Sequence, residues 1–233
     1  MQTKILYEDN DLFVIHKPAG IAVQSSRVGE MDCENELKNY LAKKGERLFV
    51  GLVHRLDQPV EGVLVVAKNK EAAAALNKQL AENTLNKTYL AVAYIGGREL
   101  ENCVETDVLS TEGGFEDFLL KDGQLAKIVP ASTKDAKLAK LHYTIIRKKD
   151  DLALVKVEIK TGRFHQIRCQ MAHHNMPLLG DAKYGTETSI NISRNAFIRN
   201  VALCANEITF KHPTTQKEMD FAVQPMNSAF TKL

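Results

Sequence analysis

The apolar run Val63 to Ala67 has the length of one short β-strand. It is far too short to cross a bilayer, and the stretch GVLVVA that contains it has the β-branched character of a strand buried in a core. Whatever the chain folds into must therefore cover that strand.

The segments around it mix strand and helix character without a regular βαβ rhythm. Residues 4–24 read as two or three short strands, split by an acidic turn and by Pro18–Gly20. Residues 32–44 predict an amphipathic helix, with Asp32 as its cap, Leu37, Tyr40 and Leu41 on one face, and Gly45 as its stop. LFVGLVHRLD is predicted extended, residues 70–82 form an alanine-rich helix, and KTYLAVAYI is a strand. Residues 99–130 predict short strands with a turn around Gly113–Gly114. Residues 138–149 and 152–160 predict a hairpin turning at Lys148–Asp151. Residues 163–175 predict a helix with Ile167, Met171 and His174 on one side, and VALCANEITF with EMDFAV closes a hairpin around His212–Thr215. The expectation is an α+β fold: a mixed, largely antiparallel central sheet with flanking helices. No linker or repeat divides the chain, and its 233 residues suit one domain.

Composition excludes some functions. An apolar fraction of 44% and a charged fraction of 26% argue against disorder. A net charge of +2 is too small for a protein that only coats nucleic acid, although phosphate contacts need only a local cluster of cations. Cys33, Cys103, Cys169 and Cys204 are scattered, with no CxxC, and read as buried thiols in a reducing cytoplasm. The histidines show no metal-binding spacing, so no metal is expected.

Chemistry concentrates in three segments. In HRLDQPVEG, residues 54–62, Arg55 and Asp57 project from the same side of an extended backbone, while His54 and Leu56 face the other way. A carboxylate on such a turn is placed for catalysis, although a surface ion pair has the same spacing. In KTYLAVAYI, Tyr89 shares a side with Ala91 and Ala93, which leaves room before its ring to stack on a base; a core tyrosine fits the same pattern. In IKTGRFHQIRCQMAHHNMPLLGDAKYG, residues 159–185, Arg163, His165, Gln166 and Arg168 crowd the start of a helix. Either an anion site or an arginine pinning strand to helix accounts for them.

Taken in order, HRLD before GVLVVAKN, then KTYLAV, then TGRFHQIRCQMA and PLLGDAKYG, together with the opening YEDNDLFVIHKPAGIAV, resemble the RluA-type pseudouridine synthases over nearly the whole chain. The resemblance implies a pseudouridine synthase that isomerises specific uridines in folded ribosomal or transfer RNA. It implies that Asp57 is the catalytic carboxylate, Tyr89 contacts the target base, Arg168 pairs with Asp57, and Arg55 lies against RNA where the uridine flips out. No metal or organic cofactor, membrane or obligate protein partner is implied, and a cytoplasmic monomer is expected. Residues 1–233 are expected to form a single catalytic domain without the separate RNA-binding domain that many relatives carry ahead of it, so selectivity would rest on loops such as residues 99–136. One departure stands out: where the family commonly has Thr-Ser-Gly after HRLD, this chain has Val60-Glu61-Gly62. A non-catalytic RNA-binding protein on the same fold, and a hydrolase that removes the base, are the competing classes.

Overall fold

The computed structural model describes residues 1–25, 29–96 and 112–233. In chain order these form β1 (Lys4–Glu8), β2 (Leu12–Lys17), α1 (Cys33–Lys44), β3 (Gly51–Leu52), β4 (Glu61–Ala67), α2 (Lys70–Ala81) and β5 (Asn86–Tyr94). There follow β6 (Glu112–Asp122), β7 (Leu125–Val129), β8 (Lys137–Lys149), β9 (Leu152–Ile159), α3 (Gln166–His173), α4 (Glu187–Asn195), β10 (Leu203–Lys211), β11 (Glu218–Ala222) and a 3₁₀ turn at Ser228–Lys232. The fold is α+β, with mixed, largely antiparallel strand pairing and flanking helices, as expected from the sequence. The chain divides into two compact units: Met1–Thr88 with Cys204–Met226, and Tyr89–Leu203 with Asn227–Leu233.

In the first unit, β2 pairs antiparallel with β1 and β4, β3 adds to β4, β10 runs parallel to β4, and β11 closes a hairpin with β10. Every residue of β2 and β4 is buried. That is the physical content of the apolar run: both of its faces are covered. Leu12, Val14, Val63, Val65 and Ala67 pack with Ala72 and Leu76 of α2 and with Ile208 and Phe210 of β10. Phe13, on the opposite side of β2, meets Tyr40 of α1 edge-on at 6.1 Å between ring centroids. Both helices start where local chemistry starts them. Asp32 accepts from the Asn35 amide at α1, and Asn69 accepts from the Ala72 amide at α2. Gly45 ends α1 in the left-handed conformation.

In the second unit, β9, β8, β6 and β7 form antiparallel neighbours, with β5 beside β9. One side packs Leu119, Ala126 and Ala139 against Cys169 of α3. A second cluster joins Val92 and Tyr94 of β5 to Leu179, Ile198, Ala202 and Ala229. The β8–β9 hairpin turns where the sequence placed it.

The turn expected around Gly113–Gly114 is not a turn. Both glycines lie inside β6, and the reversal falls between Asp122 and Leu125. Gly113 sits opposite Tyr143 of β8, and a Cβ there would lie 2.7 Å from the Tyr143 hydroxyl. The glycine makes room for a ring from a neighbouring strand, a contact that spacing along the chain does not reveal. LFVGLVHRLD is also less regular than expected, since only Gly51–Leu52 pairs as a strand. The part of the 99–130 reading before Glu112, and Cys103, lie outside the described residues.

Candidate active site

Asp57 belongs to the first unit, in the loop that leads into β4. Burial alternates along HRLD as the sequence implied: His54 and Leu56 are buried, Arg55 is exposed and Asp57 is half-buried. The Asp57 carbonyl accepts from the Val60 amide at 3.0 Å and closes a turn. That turn is clamped to the loop after β2. The Gly20 amide donates to the Gln58 carbonyl at 2.8 Å, and the Gln58 side-chain amide donates back to the Gly20 carbonyl at 3.0 Å.

Beneath the clamp lies Lys17, fully buried. Its ammonium donates to the carbonyls of Ile21 at 2.7 Å, Pro18 at 3.0 Å and Gln58 at 3.2 Å. Burial pulls its pKa down to about 8, while the charges of Cys33, Asp57 and Glu61 oppose that fall. A cation is thereby fixed under the turn that presents Asp57. Read as part of a Pro-Gly turn, Lys17 drew no attention in the sequence; its only signal was the HKPAG stretch itself.

His54 backs the same loop. Its Nε2 accepts from the Val65 amide at 3.3 Å, and complete burial holds its pKa well below the ordinary value, so the ring is neutral. The residues that replace Thr-Ser have structural positions. Val60 and Glu61 are both buried. The Glu61 carboxylate accepts from the Met226 amide at 3.0 and 3.1 Å, so a long-range tie stands where the family commonly has a hydroxyl. Gly62 keeps the family's glycine for a reason visible here: φ is +139°, and a Cβ would lie 2.5 Å from the backbone of Ala205 on β10.

Tyr89 and Arg168 belong to the second unit. Tyr89 is buried in β5, with Ala91 and Ala93 at alternate positions as the sequence indicated. Arg168 is buried in α3 and forms a two-point ion pair with Asp181, Nε to Oδ2 at 2.7 Å and Nη2 to Oδ1 at 2.8 Å. Asp181 Oδ1 also accepts from the amides of Lys183 and Tyr184 at 3.0 and 3.3 Å, and the Tyr184 ring lies 5.2 Å from the guanidinium. The GDAKYG stretch is thus a cradle that fixes one edge of Arg168. The pairing with Asp181 is not among the sequence expectations; its signal was that a buried arginine demands a carboxylate partner.

The rest of the crowded α3 start is occupied internally. Arg163 donates through Nε to the Leu138 carbonyl at 2.9 Å, the pinning role foreseen for an arginine here. Gln166 accepts from the Thr161 hydroxyl at 2.7 Å and the Arg163 amide at 3.0 Å. His165 caps α3 in the left-handed region, φ +52°, and its Nδ1 lies 2.8 Å from the Tyr184 hydroxyl. That hydroxyl also accepts from the Ala126 amide at 2.7 Å. Among the described residues, two groups have donor atoms close enough to share a cation: Asp117 with His173 and His174, and Asp9 with Asp11 and His212. Their carboxylates already accept from protein groups, Asp117 from Gln170 at 2.6 Å and Asp9 from Tyr7 at 2.8 Å.

Comparison with known proteins puts the chain in the pseudouridine synthase class of RNA-modifying isomerases. A model of the RNA pseudouridylate synthase family matches residues 11–173. The chain belongs to that family. An uncharacterized RNA pseudouridine synthase of Mycoplasma genitalium is 31% identical over 237 residues, covering 100% of this chain and 70% of that protein. A ribosomal large subunit pseudouridine synthase C of Buchnera aphidicola subsp. Schizaphis graminum is 33% identical over 228 residues, covering 97% of this chain and 68% of that protein. The chain thus spans about two thirds of the length of these relatives. Human RNA Pseudouridylate Synthase Domain Containing 4 has the same fold, with a TM-score of 0.73 at 21% identity over 96% of this chain and 89% of that one. Among the described residues, no helix is long and apolar enough to cross a membrane.

Proposed function

We propose that this protein converts selected uridines of structured ribosomal or transfer RNA to pseudouridine, with Asp57 as the catalytic carboxylate. The observation that carries the reading is the turn Asp57–Val60, in which a half-buried carboxylate is set over a buried lysine inside the segment matched by the family. Pseudouridine formation breaks the bond from N1 of uracil to the ribose, turns the base, and joins C5 to the same carbon, with the C5 proton finally lost. A carboxylate serves this chemistry as nucleophile, as base for the ribose 2′ proton, or as counter-charge to a cationic sugar.

In this proposal residues 1–233 act as one catalytic domain and a cytoplasmic monomer, without a cofactor. The free, buried thiols of Cys33, Cys169 and Cys204 accord with a reducing compartment. In this reading Arg168 is the positive partner of Asp57, and Asp181 holds its Nε and Nη2 edge. Tyr89 holds the loosened uracil, and exposed Arg55 fills the gap left by the everted nucleotide, offsetting part of the few kcal/mol that flipping typically costs. Relatives named for the large ribosomal subunit make its RNA the first substrate to test. Asp57→Asn should abolish pseudouridine formation on RNA from cells lacking the protein, read by mass spectrometry, while RNA binding and the folded state persist. Product formed at the wild-type rate by that variant would overturn the assignment.

A further inference from the structure

The second unit holds a cavity of about 360 Å³ whose rim carries an aromatic ring in an unusual position. Phe197 follows the end of α4, where the Phe197 amide donates to the Arg194 carbonyl at 3.1 Å and the Ile198 amide to the Ser193 carbonyl at 2.8 Å. That pattern requires a left-handed residue at the position of Phe197, normally glycine. Phe197 adopts φ +56° and leaves 82% of its surface in solvent. Both features work against stability: a bulky side chain is strained there, and its ring gains nothing from burial. Strain that persists in a fold points to a use for the strained residue.

The surroundings say what the ring is for. Ile190 and Ile198 give the cavity apolar lining, and exposed Arg194 and Arg199 line it together with Phe197. Asp181 also lines it, but its carboxylate is engaged by Arg168. An exposed aromatic ring and two exposed arginines on the lining of one cavity are the groups that take one nucleotide of single-stranded RNA, the base on the ring and the phosphate on the arginines. We infer that this cavity is a secondary RNA subsite, holding an unpaired nucleotide of the substrate outside the target uridine, with Phe197 as stacking platform and Arg194 and Arg199 as phosphate contacts. The inference rests on the proposed action on RNA and adds a determinant of which RNA is held.

The test uses large-subunit ribosomal RNA transcribed without modifications, with filter binding and steady-state pseudouridine formation read on the same samples. Phe197→Gly relieves the left-handed strain, so it should melt at a higher temperature than wild type, yet raise Kd and KM about five- to fiftyfold with kcat within about twofold. Phe197→Trp should restore tight binding, and because the protein has no tryptophan its quenching by RNA reports the contact directly. The Arg194→Gln/Arg199→Gln double variant should lower the salt dependence of binding by up to about two phosphate contacts. Unchanged Kd in Phe197→Gly, or no quenching of Phe197→Trp while the RNA is bound, overturns the subsite. Failure of the wild type to make pseudouridine on any RNA instead overturns the proposed function, and the binding measurements still decide the subsite.

Discussion

Arg168 and Asp181 meet through two parallel hydrogen bonds of 2.7 and 2.8 Å, with both side chains almost wholly out of solvent. The pairing joins α3 to the GDAKYG loop and fixes the plane of the guanidinium. Removing one partner strands the other charge, which typically costs about 3–5 kcal/mol. Asp181→Ala should lower the unfolding free energy by roughly that amount in urea titration. Arg168→Lys keeps the charge but loses the fork, so it should lower activity more than stability.

Gly62 is the tightest backbone approach on the Asp57 side of the molecule. With φ at +139° and Ala205 backbone 2.5 Å from the place of a Cβ, no relaxed rotamer of any larger residue fits. Gly62→Ala should destabilise the protein by at least about 2–3 kcal/mol, seen as a lower urea midpoint. The tolerated neighbour is instructive: Glu61→Gln retains an acceptor for the Met226 amide and should lose far less.

Lys17 supplies the donors for three carbonyls that have turned inward beneath the loop bearing Asp57. Lys17→Met matches its length but leaves those acceptors unmet, at about 1–3 kcal/mol apiece before relaxation. The variant should be less stable in urea, and its kcat should fall more than its KM rises, because the loop bearing Asp57 loses its anchor.

Acid should weaken the fold through histidine. Burial holds the pKa of His54 well below 6.5 and lowers that of His16. In the unfolded chain each binds a proton near pH 6.5, while the folded protein still excludes it. The stabilisation is therefore complete above that pH and is lost as pH falls below it. Thermal midpoints measured between pH 8 and pH 5 should drop for the wild type and drop less for His54→Gln.

Much of this was legible in the sequence where the cause is local. Asp32 and Gly45 mark the ends of α1 because caps act within one turn of the chain. The β8–β9 and β10–β11 hairpins were readable because alternation and the turn residues sit side by side. Readings failed where the cause came from elsewhere in the fold. Gly113 is glycine because of Tyr143 on another strand, and Asp181 matters because of Arg168 on a helix before it. Lys17 is hidden in part for the same reason: one of the three carbonyls it meets, that of Gln58, lies some forty residues on.

The unit that carries Asp57 is assembled from Met1–Thr88 and Cys204–Met226, with the second unit's main stretch lying between them in the chain. On a ribosome, β4 therefore emerges long before β10, the strand it lies parallel to. During that interval the edge of β4 that meets β10 keeps its backbone groups without their native partners. The loop bearing Asp57 reaches its final support only after β10 and Met226 have been made.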